Sequence, residues 1–588
     1  LSSRRRHTRY ADRSRGLGDV YKRQDVAERP NVIIILTDDQ GWGDLSVHGN
    51  TNISTPNIDE LSASGASLDN FYVCAVCSPT RAELLTGRYN FRGGVQSTGG
   101  GGERLDVDET TIAEVFRAAG YRTAAYGKWH NGMQYPYHPN GRGFEDYYGF
   151  CSGHWGHYFS PMLEHNGNIV QGEGYLIDDF TDHGLAFMEE NKDQPFFLYL
   201  PFNTPHTPFQ VPEEYWDRYR DKEIVMLAEG KNEDINQTRA ALALCENIDW
   251  NVGRIVEKTR ELGIDENTII LYFCDNGPNT WRWNGGMKGK KGAVDEGGVR
   301  SPMFIKWPRE IDAGKKVERV VSVIDLLPTL SEMAGIPYET LQSLDGISVK
   351  NSILEEESDW EDRFLLNYWR GRLSIRSQKY RLDPTAGLYD IEADRGQKHD
   401  LSEELPEIKQ QMVAAAEDYQ KQIDLELPKE DLRPFYLGHS ALRYTQIPAR
   451  DATAHGQIKR SNRYPNCSFF TNWISVEDSL SWQVEVPEEG RFRVHLYYTC
   501  PQGDEGSAIQ LSLGGSSLQT QITEAFDPPL RGMDEDLAPR IESYVKDWKV
   551  LDMGSIELLP GAFTMSLKAL EMPGKSVMDF RLLLFERI

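Results

Sequence analysis

The 588-residue sequence predicts an α/β domain built on a mostly parallel sheet, followed by a small antiparallel subdomain and a C-terminal β-sandwich. Three observations carry that expectation. PNVIIIL at 30–36 is a continuous β-branched run, the pattern of a strand buried on both faces. Runs of the same kind return at 122–127 (RTAAYG), 196–200 (FFLYL), 268–273 (TIILYF) and 303–307 (MFIKW), with helix-like stretches between them. Near the C-terminus, LSWQVEVPEEGRFRVHLYYTC alternates apolar and polar residues on either side of a PEEG turn, which is the period of a half-buried antiparallel strand pair.

Taken in order, residues 1–25 are Arg-rich, lack the apolar stretch of a secretory signal, and are expected to be a non-native or disordered leader. The α/β domain is expected over 26–350. Its helices include 111–120, which ends on a glycine, and a long one over 235–263. From 351 to 430 the short runs FLLNYW, LSIRS, YRLD and GLYDI predict a small antiparallel sheet, with a charged helix near 403–424 covering it. LELPKEDLRPF is polar and proline-bearing, so a linker is expected near 425–435, with the sandwich over 436–588.

Composition narrows the function. The formal charge of −26 argues against nucleic acid as a partner, and it requires any anionic substrate to be captured by a local basic cluster. No window approaches the ~18 apolar residues of a membrane helix. Seven scattered cysteines (74, 77, 151, 245, 274, 467, 500) do not form a disulfide framework.

Chemistry concentrates in a few motifs. TDDQGWGD places Asp38 and Asp39 at the carboxyl end of the first buried strand, where open α/β sheets bind ligands. FCDNGP places Asp275 and Asn276 at the end of another. Adjacent carboxylates repel unless a cation lies between them, and four oxygen donors from two strand ends make a hard-cation site. Cys77 opens CSPTR, whose proline suits a helix start and whose helix stops at Gly87. A group at position 77 would face free N–H groups and the positive end of the helix dipole, a place for an anion.

CSPTR followed by LLTGR resembles the signature of the type I sulfatases of the alkaline-phosphatase-like superfamily, in which the motif cysteine is oxidised to formylglycine. DDQGWGD, GYRTAAYGKWHNG, PHTP, CDNGP, KGAVDEGGVRSP and GLYDIEADRGQKHDL follow the family order over about residues 26–424. The resemblance implies a divalent cation, Ca²⁺ with Mg²⁺ as the alternative, held by Asp38, Asp39, Asp275, Asn276 and the modified Cys77. It implies that Arg81 orients the modified residue and that Lys128, His130, His206 and Lys291 surround the sulfate. Cations and a proton donor are needed because charge builds on the leaving oxygen as the S–O bond breaks. His206, helped by Lys291, is expected as the acid and His130 as the base.

For substrate binding, Trp281, Arg282 and Trp283 in NTWRWNGG, together with His154 and Lys288, are expected to offer aromatic platforms and polar contacts to a sulfated carbohydrate. The sandwich resembles carbohydrate-binding modules, with Trp473, Trp482 and Trp548 as candidate stacking residues, although Trp482 alternates with Val484 and Val486 and is expected in the core; a structural or dimerising role is equally open. The resemblance further implies a formylglycine-generating maturation enzyme as partner and a periplasmic or extracellular location. The rival readings are a phosphonate monoester or phosphodiester hydrolase using the same site, and a catalytically silent carbohydrate-binding protein. Neither the sugar, the sulfated position nor the oligomeric state is legible.

Overall fold

The computed structural model describes residues 29–355 and 362–588; the expected leader lies outside them. A ten-stranded mixed sheet forms the centre of the α/β part. Its principal strands are β1 (Asn31–Asp38), β2 (Arg122–Lys128), β3 (Asp146–Phe150), β4 (Phe196–Pro205), β5 (Thr268–Cys274) and β6 (Met303–Lys306), in the spatial order β6-β5-β1-β4-β2-β3. From β5 to β3 every neighbouring pair is parallel; β6 joins β5 antiparallel.

β1 lies at the middle of this array and is buried along its whole length. Val32, Ile34 and Leu36 point into one apolar layer while Ile33 and Ile35 point into the other, the two-sided burial that a β-branched run favours. The first layer is covered by α1 (Cys77–Thr86) and α2 (Ile112–Ala118), the second by α3 (Leu176–Asn191) and α4 (Ile235–Glu261). α2 starts on a capping box between Thr111 and Glu114 and is followed by Gly120 at φ +89°. α4 is capped by Asp234, whose side chain accepts from the Asn236 and Gln237 amides.

A four-stranded antiparallel sheet follows, β7 (Leu365–Trp369), β8 (Arg372–Arg376), β9 (Tyr380–Leu382) and β10 (Leu388–Asp390), with α5 (Pro406–Glu426) packed on it through Met412 and Ile423. The stretch expected as a linker is instead docked. Arg433 donates to Asp106 and Asp431 and to the carbonyls of Arg104 and Gly94, so its polar residues are used in pairing rather than left to solvent.

The C-terminal part is two facing six-stranded sheets. Ser479–Val486, Ala508–Leu513 and Gly561–Glu571 belong to one; Gly490–Thr499, Lys549–Leu558 and Asp579–Arg587 belong to the other. Their inner residues form one apolar core. Trp473 and Trp482 are inside it at 1% and 2% exposure, which corrects Trp473 as a sugar-stacking candidate and agrees with the core position expected for Trp482, turned inward by the strand alternation with Val484 and Val486. Trp548 packs edge-on against Phe469.

Candidate active site

Four adjacent parallel strands, β5, β1, β4 and β2, end at the same edge of the sheet, and each delivers polar residues there. Ile35 pairs with Tyr272 and Thr37 with Cys274, so Asp38 and Asp39 emerge beside Asp275 and Asn276. β4 carries His206 immediately after its last residue, and β2 ends on Lys128, two residues before His130. Asp39 and His130 both adopt positive φ, +69° and +68°, which turns the chain sharply off the strand and over the sheet edge.

α1 begins at Cys77, with extended Val76 as its N-cap, so Pro79 is the third helical residue. The first intrahelical acceptor is Val76 O, taken by Thr80 N at 3.5 Å; a proline before it removes no bond the helix could have made. Gly87 closes the helix at φ +67° and donates to Glu83 O. Cys77, 3% exposed, thus lies among the unsatisfied N–H groups of the first turn. A sulfur, Asp38 and Asp275 converge here, their potential ligand atoms all within 4.8 Å of one another.

Every charge around this point has a counter-charge. Lys128 Nζ is 2.6 Å from Asp38 Oδ2, Lys291 Nζ is 2.6 Å from Asp39 Oδ1, and Arg81 donates from Nε and Nη2 to Asp275 Oδ2 at 3.2 and 2.9 Å. Arg81 Nη1 also donates to the Lys128 carbonyl at 2.5 Å, and Asn276 Nδ2 to Asp39 Oδ1 at 2.8 Å. Burial opposes ionisation of Asp38, but Lys128, His206, Arg81 and Lys291 outweigh it and hold that carboxyl well below its usual range. Burial, reinforced by the Asp38 charge, pushes Asp275 upward. Burial also raises the Cys77 thiol, so position 77 is a poor source of thiolate.

Three buried oxygens remain without a hydrogen-bond partner: Asp38 Oδ1, Asp39 Oδ2 and Asn276 Oδ1. Unpaired buried oxygens are costly, and three of them beside the Asp275 carboxylate, displaced upward by burial and by the Asp38 charge, are the donor set of a hard cation. The residues present therefore fit a Ca²⁺- or Mg²⁺-type ion.

A cavity of about 480 Å³ opens above Cys77 and is lined by Asp39, His130, His154, His206 and Lys291. His130 Nε2 faces the Thr98 carbonyl at 3.1 Å and therefore carries the proton; Nδ1 is left as a buried, unpartnered acceptor. Burial, with Lys128 and Arg81 nearby, holds this ring well below its usual range. His206 donates Nδ1–H to the Thr207 carbonyl at 2.7 Å and turns Nε2 toward Asp39 Oδ2 at 3.7 Å.

Four residues expected on the substrate face lie elsewhere. Arg282 is 2% exposed, and its five N–H groups go to Asp44, Asn279, Thr280 and the Asp39 carbonyl, leaving none for a substrate anion. It props the backbone of the loop that carries Asp38 and Asp39. Trp281, Trp283 and Lys288 line a neighbouring cavity; Lys231 sits 4.7 Å over the Trp281 ring, and Lys288 pairs with Asp295 and Asp383. The motif context drew attention to them, but the loop doubles back and presents them away from Cys77. Conversely, Arg370 at the β7–β8 turn and Asn466 and Glu542 from the sandwich reach the Cys77 cavity with no local sequence signal.

Comparison with known proteins gives the family. The sulfatase family model matches residues 30–336, just over half of the chain, and the model for the C-terminal part of N-sulphoglucosamine sulphohydrolase matches 289–422. Arylsulfatase A of Homo sapiens is 30% identical over 447 residues, covering 64% of this chain and 84% of the relative. N-acetylgalactosamine-6-sulfatase of Mus musculus is 29% identical over 378 residues, covering 58% and 69%. The crystal structure of Ps i-CgsB in complex with k-i-k-neocarrahexaose superposes with a TM-score of 0.61 at 32% identity, over 66% of this chain and 92% of that one. The chain belongs to the sulfatase family and is an enzyme that hydrolyses sulfuric esters.

Proposed function

We propose that this sulfatase removes sulfate from a carbohydrate, with Cys77 converted to formylglycine by a maturation enzyme and with Asp38, Asp39, Asp275, Asn276 and the modified side chain holding a divalent cation, Ca²⁺ ahead of Mg²⁺. The observation that carries the reading is the set of three unpartnered oxygens on Asp38, Asp39 and Asn276, with position 77 beside Asp38 and Asp275 at the head of a helix. When present, the cation supplies charge compensation to a bound sulfate, and the oxidised residue 77 supplies a nucleophilic oxygen.

The chain's own residues supply the rest. Lys128 and Lys291 keep Asp38 and Asp39 ionised and add positive charge where an anionic ester enters. Arg81 fixes Asp275 and the end of β2 relative to α1. His206 presents Nε2 to the leaving oxygen, its ring oriented by the Thr207 carbonyl, and is assigned as the acid in its doubly protonated form, with Asp39 3.7 Å from Nε2 as the counter-charge. His130, neutral with a free Nδ1, is assigned as the base. A carbohydrate ester is favoured by the polar walls of the cavity and by the likeness to a structure whose title names a bound neocarrahexaose. A periplasmic or extracellular site of action fits a polymer-derived substrate, and no helix among the described residues is long and apolar enough to cross a membrane.

Two measurements test the reading. Peptide mass spectrometry across Cys77, on protein made with the maturation enzyme, is expected to show aldehyde in place of thiol. Sulfate release is then expected from sulfated oligosaccharides; turnover confined to phosphonate or phosphate esters would establish the rival hydrolase, and an unmodified thiol the silent binding protein.

A further inference from the structure

The α/β part does not close the Cys77 cavity alone. Two loops of the sandwich, carrying Tyr464 to Asn466 and Pro539 to Glu542, form its far wall. Both are fastened. Asn466 Nδ2 donates at 2.8 Å to the Thr98 carbonyl, the same oxygen that His130 meets at 3.1 Å. A Cβ on Gly153 would fall 2.2 Å from His130 Nε2 and 2.6 Å from Asn466 Nδ2, so the two parts meet there without room for a side chain. In the second loop, Arg540 Nη1 donates to the Gly156 carbonyl at 2.6 Å, Leu537 N to the Phe209 carbonyl at 2.9 Å, and Asp536 accepts from Gln210 at 2.9 Å. These anchors bracket the segments that carry His154 and His206.

Glu542, two residues past Arg540, reaches both histidines: potential ligand atoms of His154, His206 and Glu542 lie within 4.8 Å of one another. Three polar atoms of this cluster are buried and have no hydrogen-bond partner: Glu542 Oε2 and both ring nitrogens of His154, a residue only 3% exposed. Burial, with His206 and Arg540 nearby, holds the His154 ring well below its usual range, so it offers one N–H donor and one acceptor. Of the cations near this cluster, Lys128 is committed to Asp38, Lys291 to Asp39 and Arg540 to Asp536; Lys290 and Arg370 also line the cavity, Lys290 donating to the Asn279 carbonyl and Arg370 lying over the Trp369 ring. A neutral donor–acceptor ring beside a carboxylate matches sugar hydroxyls and is hostile to a second anionic group.

We propose that His154 and Glu542 form a hydroxyl-reading subsite for the sugar ring that carries the scissile ester, assembled jointly by the α/β part and the sandwich, and that Glu542 turns away rings bearing a second sulfate beside that ester. The sandwich is on this account a wall of the active site. The inference rests on the carbohydrate-sulfatase reading above.

The test uses the full-length, matured chain with three substrates: a monosulfated sugar, the same sugar with a second sulfate on the neighbouring carbon, and para-nitrophenyl sulfate, which has no sugar hydroxyls. Glu542→Ala is expected to lower kcat/KM for the monosulfated sugar by about ten- to a hundred-fold more than for para-nitrophenyl sulfate, since it removes an acceptor from a buried hydrogen bond. Glu542→Gln keeps an acceptor and the side-chain shape but removes the charge; it is expected to narrow the wild-type preference for the monosulfated over the disulfated sugar at least several-fold. If wild type cleaves sugar sulfates and both variants match it within about two-fold on every substrate, the subsite is wrong and the sulfatase reading stands. If the variants lose sugar and aryl turnover equally, Glu542 acts on the reaction itself and the subsite is again wrong. If wild type cleaves only para-nitrophenyl sulfate, the carbohydrate reading falls and the subsite with it.

Discussion

Arg81 donates Nη1–H to the carbonyl of Lys128 at 2.5 Å, while the ammonium of that same lysine lies 2.6 Å from Asp38. One residue of β2 is thus held from its backbone by a helix and holds a β1 carboxylate with its side chain. The two cations form a single brace, Arg81 neutralising Asp275 while it holds the backbone of the lysine that neutralises Asp38.

Removing the lysine is expected to cost more than one interaction. Lys128→Ala removes the closest cation to Asp38, leaving the Arg81 guanidinium at 3.9 Å with His206 and Lys291 farther off, and withdraws positive charge from the ester's entry path. A fall in kcat of about 10²–10³-fold is expected, the scale seen when a preplaced charge-stabilising group is lost. Single-turnover kinetics on a sulfate ester checks it; a change below about five-fold would remove Lys128 from the sulfate-binding set.

Removing the guanidinium is expected to act on folding. Arg81→Met leaves Asp275, fully buried, with no direct cation, and breaking one partner of a buried pair costs about 3–5 kcal/mol. Denaturant midpoints of wild type and variant, compared at constant m-value, read this directly.

Metal removal gives a third outcome. The unpartnered oxygens of Asp38, Asp39 and Asn276 are expected to bind Ca²⁺ in the folded chain only, so Ca²⁺ at about 100 times its Kd stabilises by about 2.7 kcal/mol and chelation reverses it. In Asp39→Asn the Ca²⁺-dependent shift in Tm is expected to shrink by at least half, whether or not residue 77 has been oxidised. An equal shift in the variant would place the cation elsewhere.

The strand-end residues were legible in the sequence because a buried parallel strand announces itself as a β-branched run, and the first polar residues after it have nowhere to go but the ligand-binding edge. Asp38, Asp39, Asp275 and Asn276 follow that logic, whereas Lys128, the last residue of the Ala- and Gly-bearing strand RTAAYGK, was marked only by the family resemblance. The opposite wall was not legible, since Glu542 comes from a loop that touches His154 only through tertiary packing, 388 positions away in the numbering of the chain. Arg282 was misread for a related reason. An arginine between two tryptophans has the composition of a sugar platform, but its use depends on where Asp44 lies in space, and adjacency in sequence does not report that. The sandwich tryptophans show the same limit: alternation around Trp482 already pointed inward, whereas nothing local marked Trp473 as core.

Arg282 is accordingly expected to behave as a positioning residue. Arg282→Lys can keep one contact to Asp44 but not the fork that also holds the Asp39 carbonyl, Asn279 and Thr280. The variant is expected to lose stability and to lower kcat/KM on all sulfate esters by a common factor, without a selective rise in KM for sugars. A selective rise in KM for sulfated sugars would return Arg282 to the substrate face.

The last expectation concerns acid. Glu296, in the EGGVRSP segment that leads into β6, is fully buried and receives Arg376 of β8 at 2.8 Å, Arg381 of β9 at 3.1 Å and Arg300 at 3.4 Å, with Tyr72 donating at 3.0 Å. This one carboxylate ties the large sheet to the small one. Burial would raise it, but Arg376, Arg381 and Arg300 outweigh that and bring it from 4.5 down to about 2. A carboxyl depressed by folding stabilises the native state above its unfolded value and loses that contribution as pH falls through its folded one; the window here runs from about pH 5 to about pH 2, and the contribution at neutral pH is about 3 kcal/mol. Glu296→Gln is expected to be less stable than wild type at pH 7, and the gap between the two should close as pH falls through that window. Urea midpoints measured for both proteins at several pH values decide it: a gap that stays constant down to pH 3 would show that Glu296 holds the two sheets through hydrogen-bond geometry rather than through its charge.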